Sequence, residues 1–419
     1  MYFSSGDNER FKEERQLRER TVGMPKATFD LQVVTPLFLA GANQREYELE
    51  GNDKRPEQPT HAWGIVPELR SSSFRGLMRY WLRTAVAGLA DIRSIGLEQV
   101  RDLEKYIFGA TDQGSAIQVR VTNIPENMDE VTEKSEREGG YSRDKISGKN
   151  YLYWSMAESG QGDQRKPARR YISQGTKFSI TLSEHGQEDI EVHKLEGAIA
   201  AFWLLITLGG LGSRSRRCAG SLVAIKTTKS VPNLSFAEAR DAQELQRILR
   251  QGIQEVRRMY TSQLAVVENS APKTSPALLG TASFDRLTMP GSCRIWVLQR
   301  KDGSSWHSVR DALHDIGREL QAGRKGISSL QKRTVFGLPL NVRDMDKSKL
   351  KYALENNRRA SPLHLKISRL QGGRYAGVAV LFKTHYDDIE NILPEPDYSQ
   401  IENWIERNLS FVTALEVIL

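Results

Sequence analysis

The order of elements read from the sequence puts this chain in the α+β class, as two ferredoxin-like (βαββαβ, RRM-like) domains in tandem with inserted loops and helices. Two observations carry that reading. Between Thr28 and Thr228, strand-like and helix-like segments follow one another as β, α, β, β, α, β. The same order recurs between Cys293 and Leu419, without obvious sequence identity between the halves. A split βαβ pair of this kind folds as two helices on one face of a four-stranded antiparallel sheet.

Each element has its own justification. Thr28–Thr35 (TFDLQVVT) has strand character and is ended by Pro36. Gly41–Glu68, with Pro56, Pro59 and Pro67, reads as a long surface loop. Ser71–Ser73 offer an N-cap for a helix from Phe74 to Ala90, in which Phe74, Met78, Trp81, Leu82 and Ala85 share one face. Gln118–Thr122 alternates as a strand, and the almost wholly polar Glu126–Asn150 reads as a mobile insertion. Lys177–Leu182 is the third strand. Glu196–Leu208 (EGAIAAFWLLITL) is too long and too rich in Ala and Leu for a strand, so it reads as a buried helix stopped by Gly209 and Gly210. Ser221–Thr228 closes the first unit, and Phe236–Leu264 follows as a charged amphipathic helix.

In the second half, Cys293–Arg300 is a strand and Ser305–Gln321 a helix. Leu363–Leu370 and Tyr375–Phe382 alternate as a hairpin around Gln371–Arg374, where Gly372 and Gly373 suit the turn. Tyr398–Asn408 is helical in composition and Phe411–Leu419 is the last strand. The expected organisation is a charged lead over 1–23 and a first domain over 24–228 with a mobile insertion at about 123–170. A second domain over 229–419 carries a helical insertion at about 235–265.

Charge and composition narrow the class of partner. The net charge of +8 and a pI of about 9.3 suggest an anionic partner. Only Cys218 and Cys293 occur, so there is neither a disulfide framework nor a CxxC metal pattern. The N-terminal stretch lacks the apolar core of a signal peptide. The longest apolar run, about eleven residues from Ala198, is too short to span a bilayer. A cytoplasmic protein with no membrane partner and no cofactor is expected.

The segment Leu208–Ser221 (LGGLGSRSRRCAGS) concentrates the chemistry. Glycine lets backbone approach a ligand closely, and clustered arginine favours phosphate. Because this loop follows a helix and precedes a strand, it is neither a Walker loop nor a dinucleotide fingerprint, both of which need strand, loop, helix. Gly212, Ser213, Arg214, Ser215, Arg216 and Arg217 are therefore candidate phosphate contacts; the alternative is a solvated turn whose arginines pair with surface acids. On the Phe74 helix, Arg75, Arg79 and Arg83 recur at i, i+4, i+8 with Arg70 just before them, and no carboxylate of the same helix faces them at that spacing. Arg75 also stands in the first turn, against the helix dipole, which suggests an anion there. The alternative is a cationic face paired with acids from elsewhere in the fold.

Two weaker basic segments complete the set. Gln164–Tyr171 (QRKPARRY) brings Arg165, Lys166, Arg169 and Arg170 near Tyr171, with Tyr151, Tyr153 and Trp154 upstream. Aromatics interleaved with cations suit single-stranded nucleic acid, although such aromatics are often the apolar side of a strand. Gly323–Arg333 (GRKGISSLQKR) reads as a fourth basic loop. Catalytic constellations are absent: there is no GxSxG and no HExxH, and the histidines at 61, 185, 193, 307, 314, 364 and 385 show no metal-ligand spacing.

Taken together, TFDLQVVTPLFLAGA, PELRSSSFRGLMRYWLR and LGGLGSRSRRCAGSL resemble the RAMP superfamily of CRISPR proteins, most closely the family of first subunits of the type III-B Cmr module. FGLPL at Phe336–Leu340 and RRASPLHLKI at Arg358–Ile367 extend the resemblance. It implies two ferredoxin-like domains that bind single-stranded RNA (crRNA or target RNA) beside other Cmr-module subunits in antiviral defence, with no nuclease activity of their own. By position it implies RNA contacts at Arg70, Arg75 and Arg79 and at Gly212–Arg217. Cys218 and Ala219 depart from the glycine-rich pattern and imply a stiffer loop. Two other readings stay open: a metal-independent endoribonuclease of the same superfamily using His61 as general base, and an assembly scaffold that binds acidic partner subunits.

Overall fold

The computed structural model describes residues 25–39, 67–93, 97–125, 129–131, 147–157, 169–185, 193–270, 285–327, 329–338, 340, 348–356, 358–384, 396–407 and 409–417. The expected lead, residues 41–66 of the proline-rich loop with His61, and Arg165 and Lys166 lie outside them. In the first half the strands are β1 (Lys26–Val33), β2 (Ile117–Thr122), β3 (Asp129–Val131), β4 (Arg170–Ile172), β5 (Lys177–Glu184) and β6 (Leu222–Thr227). The helices are α1 (Ser71–Arg93), α2 (Leu97–Phe108), α3 (Gly148–Tyr153) and α4 (Lys194–Thr207). The second half contributes α5 (Ala242–Ser270), β7 (Cys293–Arg300), α6 (Val309–Gly326), α7 (Leu330–Arg333), α8 (Ser348–Asn356), β8 (Leu363–Leu370), β9 (Arg374–Phe382), α9 (Ser399–Arg407) and β10 (Val412–Val417).

Two four-stranded antiparallel sheets result, ordered β2-β5-β1-β6 and β10-β7-β9-β8. In each, the first and third strands of the unit are central and the second and fourth are edges, which is the ferredoxin-like order anticipated from the sequence. Strand β1 shows why: Ala27, Phe29, Leu31 and Val33 alternate inward, fully buried, while the residues between them do not. Phe29 sits opposite Ile180 and Leu31 opposite Phe178 on β5. The apolar face read for α1 holds residue by residue, with Phe74, Met78, Trp81, Leu82 and Ala85 all buried. The β8–β9 turn runs through Gly372 and Gly373, both at φ +70°.

Several local expectations change. Helix α1 starts at Ser71, so Ser71–Ser73 form its first turn rather than a cap before it. Helix α2 was not anticipated, although Val100, Leu103 and Ile107 recur at helical spacing and are buried. The segment read as a mobile insertion contains structure where it is described. β3 pairs with β4, and α3 packs on α6 so closely that a Cβ on Gly317 would lie 2.0 Å from the Gly148 carbonyl oxygen. Gly323–Arg333, read as a loop, is the last turn of α6 followed by α7.

The two halves interlock their cores. Helix α5 packs on α1, α2 and α4 of the first half and on β7 and β10 of the second, and Gly252 admits the Trp203 ring where a Cβ would meet it at 2.2 Å. One face of the second sheet, with Ile295, Val297, Val378, Val380 and Phe382, joins the first half's core. The opposite face, with Trp296, Leu298, Leu365 and Leu381, packs with Val309, Leu313, Ile401 and Trp404 of α6 and α9, and with Phe38, Tyr153 and Cys218 of the first half. Among the described residues, no helix is long and apolar enough to cross a membrane.

Candidate nucleic-acid interface

The glycine-arginine loop is built where α4 stops. Gly209 lies under Trp81, whose Nε1 a Cβ there would approach to 2.5 Å, so the chain can turn out of α4 only with glycine at that point. The loop is then sewn to the segment after β1: Ser213 N donates to Phe38 O at 2.8 Å and Gly220 N to Pro36 O at 2.9 Å. Gly212 has φ +82°, and a Cβ there would lie 2.3 Å from Phe38 O. Ser215–Arg217 form a short 3-10 turn framed by two left-handed residues, Arg214 at φ 62° and Cys218 at φ 63°. Left-handed backbone costs a non-glycine residue about 1–2 kcal/mol. Cys218, the departure noted in the sequence, is held in it by its N–H, which donates to Leu365 O of β8 at 2.8 Å. Its thiol is structural: burial pushes it up to about 12.

That hydrogen bond makes the loop a seam between the sheets. Ile367 N donates to Ser221 Oγ at 3.2 Å, and the Lys366 ammonium donates to Leu222 O at 3.4 Å. Arg216 crosses the same seam, donating from Nη1 to Ser361 O at 2.6 Å and standing 3.7 Å from Asp285, which also accepts from the Tyr80 hydroxyl. The two C-terminal blocks noted in the sequence therefore converge here from far along the chain, Ser361 in one and Phe336, Arg217's neighbour, in the other. His364 lies beside them, buried among Tyr80, Trp81 and Phe382; burial, then Arg216 and Arg217, hold its pKa well below the usual histidine value.

Arg214 and Arg217 behave differently from Arg216. They meet Arg324 of α6, which donates to the Tyr151 hydroxyl at 3.3 Å and lies over the Phe336 ring at 5.9 Å. Among the described residues no carboxylate pairs with any of the three. Arg217 is half-buried with its head inward: Nη1 is sealed from solvent without a partner, and Nη2 reaches only Phe336 O at 3.5 Å. Arg214 Nε is likewise sealed and unpartnered. Burial, then repulsion from Arg324, lowers the Arg217 guanidinium to about 10 and shifts Arg214 in the same direction.

The α1 stripe is a different matter: Arg79 and Arg83 follow the alternative reading, a cationic face paired with an acid from elsewhere in the fold. Arg79 Nε lies 2.5 Å from Glu104 of α2, and Arg83 is 3.5 Å from the same buried carboxylate. Arg75 donates to Phe108 O at 3.2 Å, the carbonyl end of α2, where a cation is favoured, while its Nε is sealed from solvent without a partner. The partner helix is the one not anticipated, so spacing within α1 could not reveal these pairs. Arg70 stands half-buried at the start of α1, with Nε sealed and unpartnered.

Arg169, just before β4, is exposed and its N donates to Met156 O at 2.8 Å, and Arg170, the first residue of β4, is half-buried. Of the nearby aromatics, Tyr153 and Tyr171 pack edge-on against Phe38 at 5.6 and 5.5 Å and belong to the core, while Trp154 is 67% exposed. Arg324 and Tyr151 are the site residues that the loop motif could not reveal; each was visible only as part of a basic or aromatic run. Among the described residues no His, Cys, Asp and Glu cluster could hold a metal ion.

Comparison with known proteins agrees with this architecture. The profile of the RAMP superfamily matches residues 30–223. The chain is 30% identical over 209 residues to the CRISPR system Cmr subunit Cmr1-2 of Pyrococcus furiosus, covering 48% of this chain and 95% of that protein. It is 24% identical over 342 residues to Cmr1-1 of the same organism, covering 81% and 86%. The fold superposes on the apo crystal structure of Cmr1 from Pyrococcus furiosus with a TM-score of 0.54 at 19% identity, over 93% of this chain and 98% of that one. It also superposes on a chain of the type III-B Cmr-beta complex bound to cognate target RNA, with a TM-score of 0.53 at 14% identity, over 91% and 98%. With tandem ferredoxin-like sheets, the loop between α4 and β6, and a relative covered almost end to end, the chain belongs to the RAMP superfamily and, within it, to the Cmr1 subunits of type III-B CRISPR systems.

Proposed function

We propose that this subunit binds single-stranded RNA, crRNA or target, within a Cmr effector complex, gripping the phosphate backbone at the seam between its two sheets without cutting it. The observation that carries the reading is the meeting of Arg214, Arg217 and Arg324, with sealed N–H groups and no carboxylate among the described residues. Three guanidiniums sharing a half-buried site repel one another, and a buried donor without an acceptor costs about 1–3 kcal/mol. A phosphate supplies the missing charge and acceptors at once, in the geometry guanidinium favours. The target RNA named for the Cmr-beta complex supports the class of ligand.

In this reading Gly212, Ser213 and Ser215 shape the loop and Arg216 ties it down, while Arg70, Arg169 and Arg170 are further candidate contacts. Arg75, Arg79 and Arg83 serve mainly to hold α2. His364 cannot act as a base toward RNA, because it is buried behind the loop.

Fluorescence anisotropy with labelled single-stranded RNA across a salt series tests the proposal. Affinity falls by about 0.7 log units per log unit of salt for each phosphate neutralised. Replacing Arg214, Arg217 and Arg324 with Ala lowers that slope and weakens binding about equally across sequences, since phosphate contacts carry no base information. A flat salt response, or tight binding to partner subunits with no RNA affinity, overturns it. Reproducible cleavage of labelled RNA by the pure protein overturns its non-catalytic part.

A further inference from the structure

Among the described residues between β3 and β4, one aromatic side chain is left unused by the fold. Helix α3 tightens after Tyr153 into a 3-10 turn over Trp154–Met156, and this turn is anchored on both sides. Before it, the Tyr151 hydroxyl accepts from Arg324, and Leu152 and Tyr153 are buried. After it, Met156 is buried and its carbonyl takes the Arg169 N–H. The backbone packing of Gly148 against Gly317 fixes α3 on α6. Trp154 projects from this frame 67% exposed, while its neighbours in sequence supply the core.

The surroundings of the turn define what Trp154 can meet. Tyr151, three residues earlier, touches Arg324 of the three-arginine cluster. Tyr153, one residue earlier, packs on Phe38, whose carbonyl holds Ser213 of the glycine-arginine loop. Arg169 leads into β4 directly beside Met156. A rigidly mounted indole three residues from the tyrosine that meets an unneutralised cationic cluster combines the two elements a single strand uses, a ring face for a base and charge for the phosphates. Tryptophan also has a large face to stack and little side-chain freedom to lose on doing so.

We propose that Trp154 is a stacking platform for one base of the strand whose phosphate lies in the Arg214–Arg217–Arg324 cluster; the inference rests on the RNA reading above and assigns it a base contact. Stacking tolerates any base, so the contact adds affinity for single strands with little sequence preference.

The full chain, its Trp154→Ala and Trp154→Phe variants and the Arg214→Ala variant are titrated with labelled oligouridine and, separately, with inorganic polyphosphate, which carries charge without bases. Because Trp154 is exposed, the Trp154 variants should melt as the parent does. Trp154→Ala is expected to raise the oligouridine Kd at least fivefold or so, leaving its salt slope and the polyphosphate Kd unchanged, while Trp154→Phe recovers most of the loss. Unchanged RNA affinity in Trp154→Ala, with Arg214→Ala weakened, overturns the platform and leaves the phosphate reading standing. Equal losses on both ligands also overturn it, as does normal RNA binding with failed assembly onto other Cmr subunits, which would assign Trp154 to a protein contact. If the parent chain binds neither ligand, both proposals fall.

Discussion

Lys366 is 2% exposed on β8, and its ammonium reaches only the Leu222 carbonyl, at 3.4 Å. Burial, opposed by Cys218, pulls its pKa from 10.5 to about 7. The unfolded chain keeps this proton up to about pH 10.5 whereas the folded one releases it from about 7, so between those values the unfolded state binds more protons and stability rises with pH. The gap corresponds to ~4 kcal/mol of destabilisation at pH 7, shrinking to well under ~1 kcal/mol at pH 10.5. Lys366→Met removes that cost and loses one long hydrogen bond worth ~1 kcal/mol. The variant should therefore be more stable than the parent by ~3 kcal/mol at pH 7, equal to it just below pH 10, and less stable above. For a chain of this length ~3 kcal/mol raises Tm by about 3 °C, readable by scanning calorimetry or fluorescence from pH 6 to 10.5. A variant that is less stable at pH 7, or a difference that does not shrink with rising pH, refutes the reasoning.

Arg216→Ala removes the bond to Ser361 and takes the nearby guanidinium from Asp285, whose side chain is 12% exposed and which keeps the Tyr80 hydroxyl and the charge of Arg359; chemical denaturation should show a loss of about 1–3 kcal/mol. Gly212→Ala forces a Cβ to 2.3 Å from Phe38 O at φ +82°, so it should destabilise by ~1–2 kcal/mol and weaken RNA binding at unchanged net charge in anisotropy titrations. Arg79→Ala takes the close partner from Glu104, whose side chain is 7% exposed, and should lower Tm while leaving the RNA salt slope as in the parent; a reduced slope would return the α1 stripe to the RNA interface.

Much of the fold was legible because its signals are local. β7 and β8 run over the residues expected of them, and the alternation in β1 and the apolar face of α1 are patterns that neighbouring residues make with each other. The loop was legible as a phosphate-type segment for the same reason, since glycines and arginines lie within a few residues. Helix α2 escaped notice because its apolar spacing is interrupted by charge, and α3 because a short helix in polar surroundings has too little periodicity to show. The division of labour among the arginines was not legible at all. Arg79 and Arg216 owe their partners to Glu104 of α2 and to Ser361 and Asp285, and Arg324 joins Arg214 only because α6 packs on α3.

By itself, then, the sequence determined the order of elements, the ferredoxin-like class of both sheets and the chemistry of the α4–β6 loop, all set by periodicity, turn residues and charge over short spans. Only the tertiary structure decided that β7 is buried on both faces, that the halves share their cores, and which guanidiniums remain without an acid. The reason is that pairing energy depends on distances between residues far apart in the chain, and desolvation depends on everything packed around them. In this protein both are set at one place, where Cys218 N meets Leu365 O and the two sheets join.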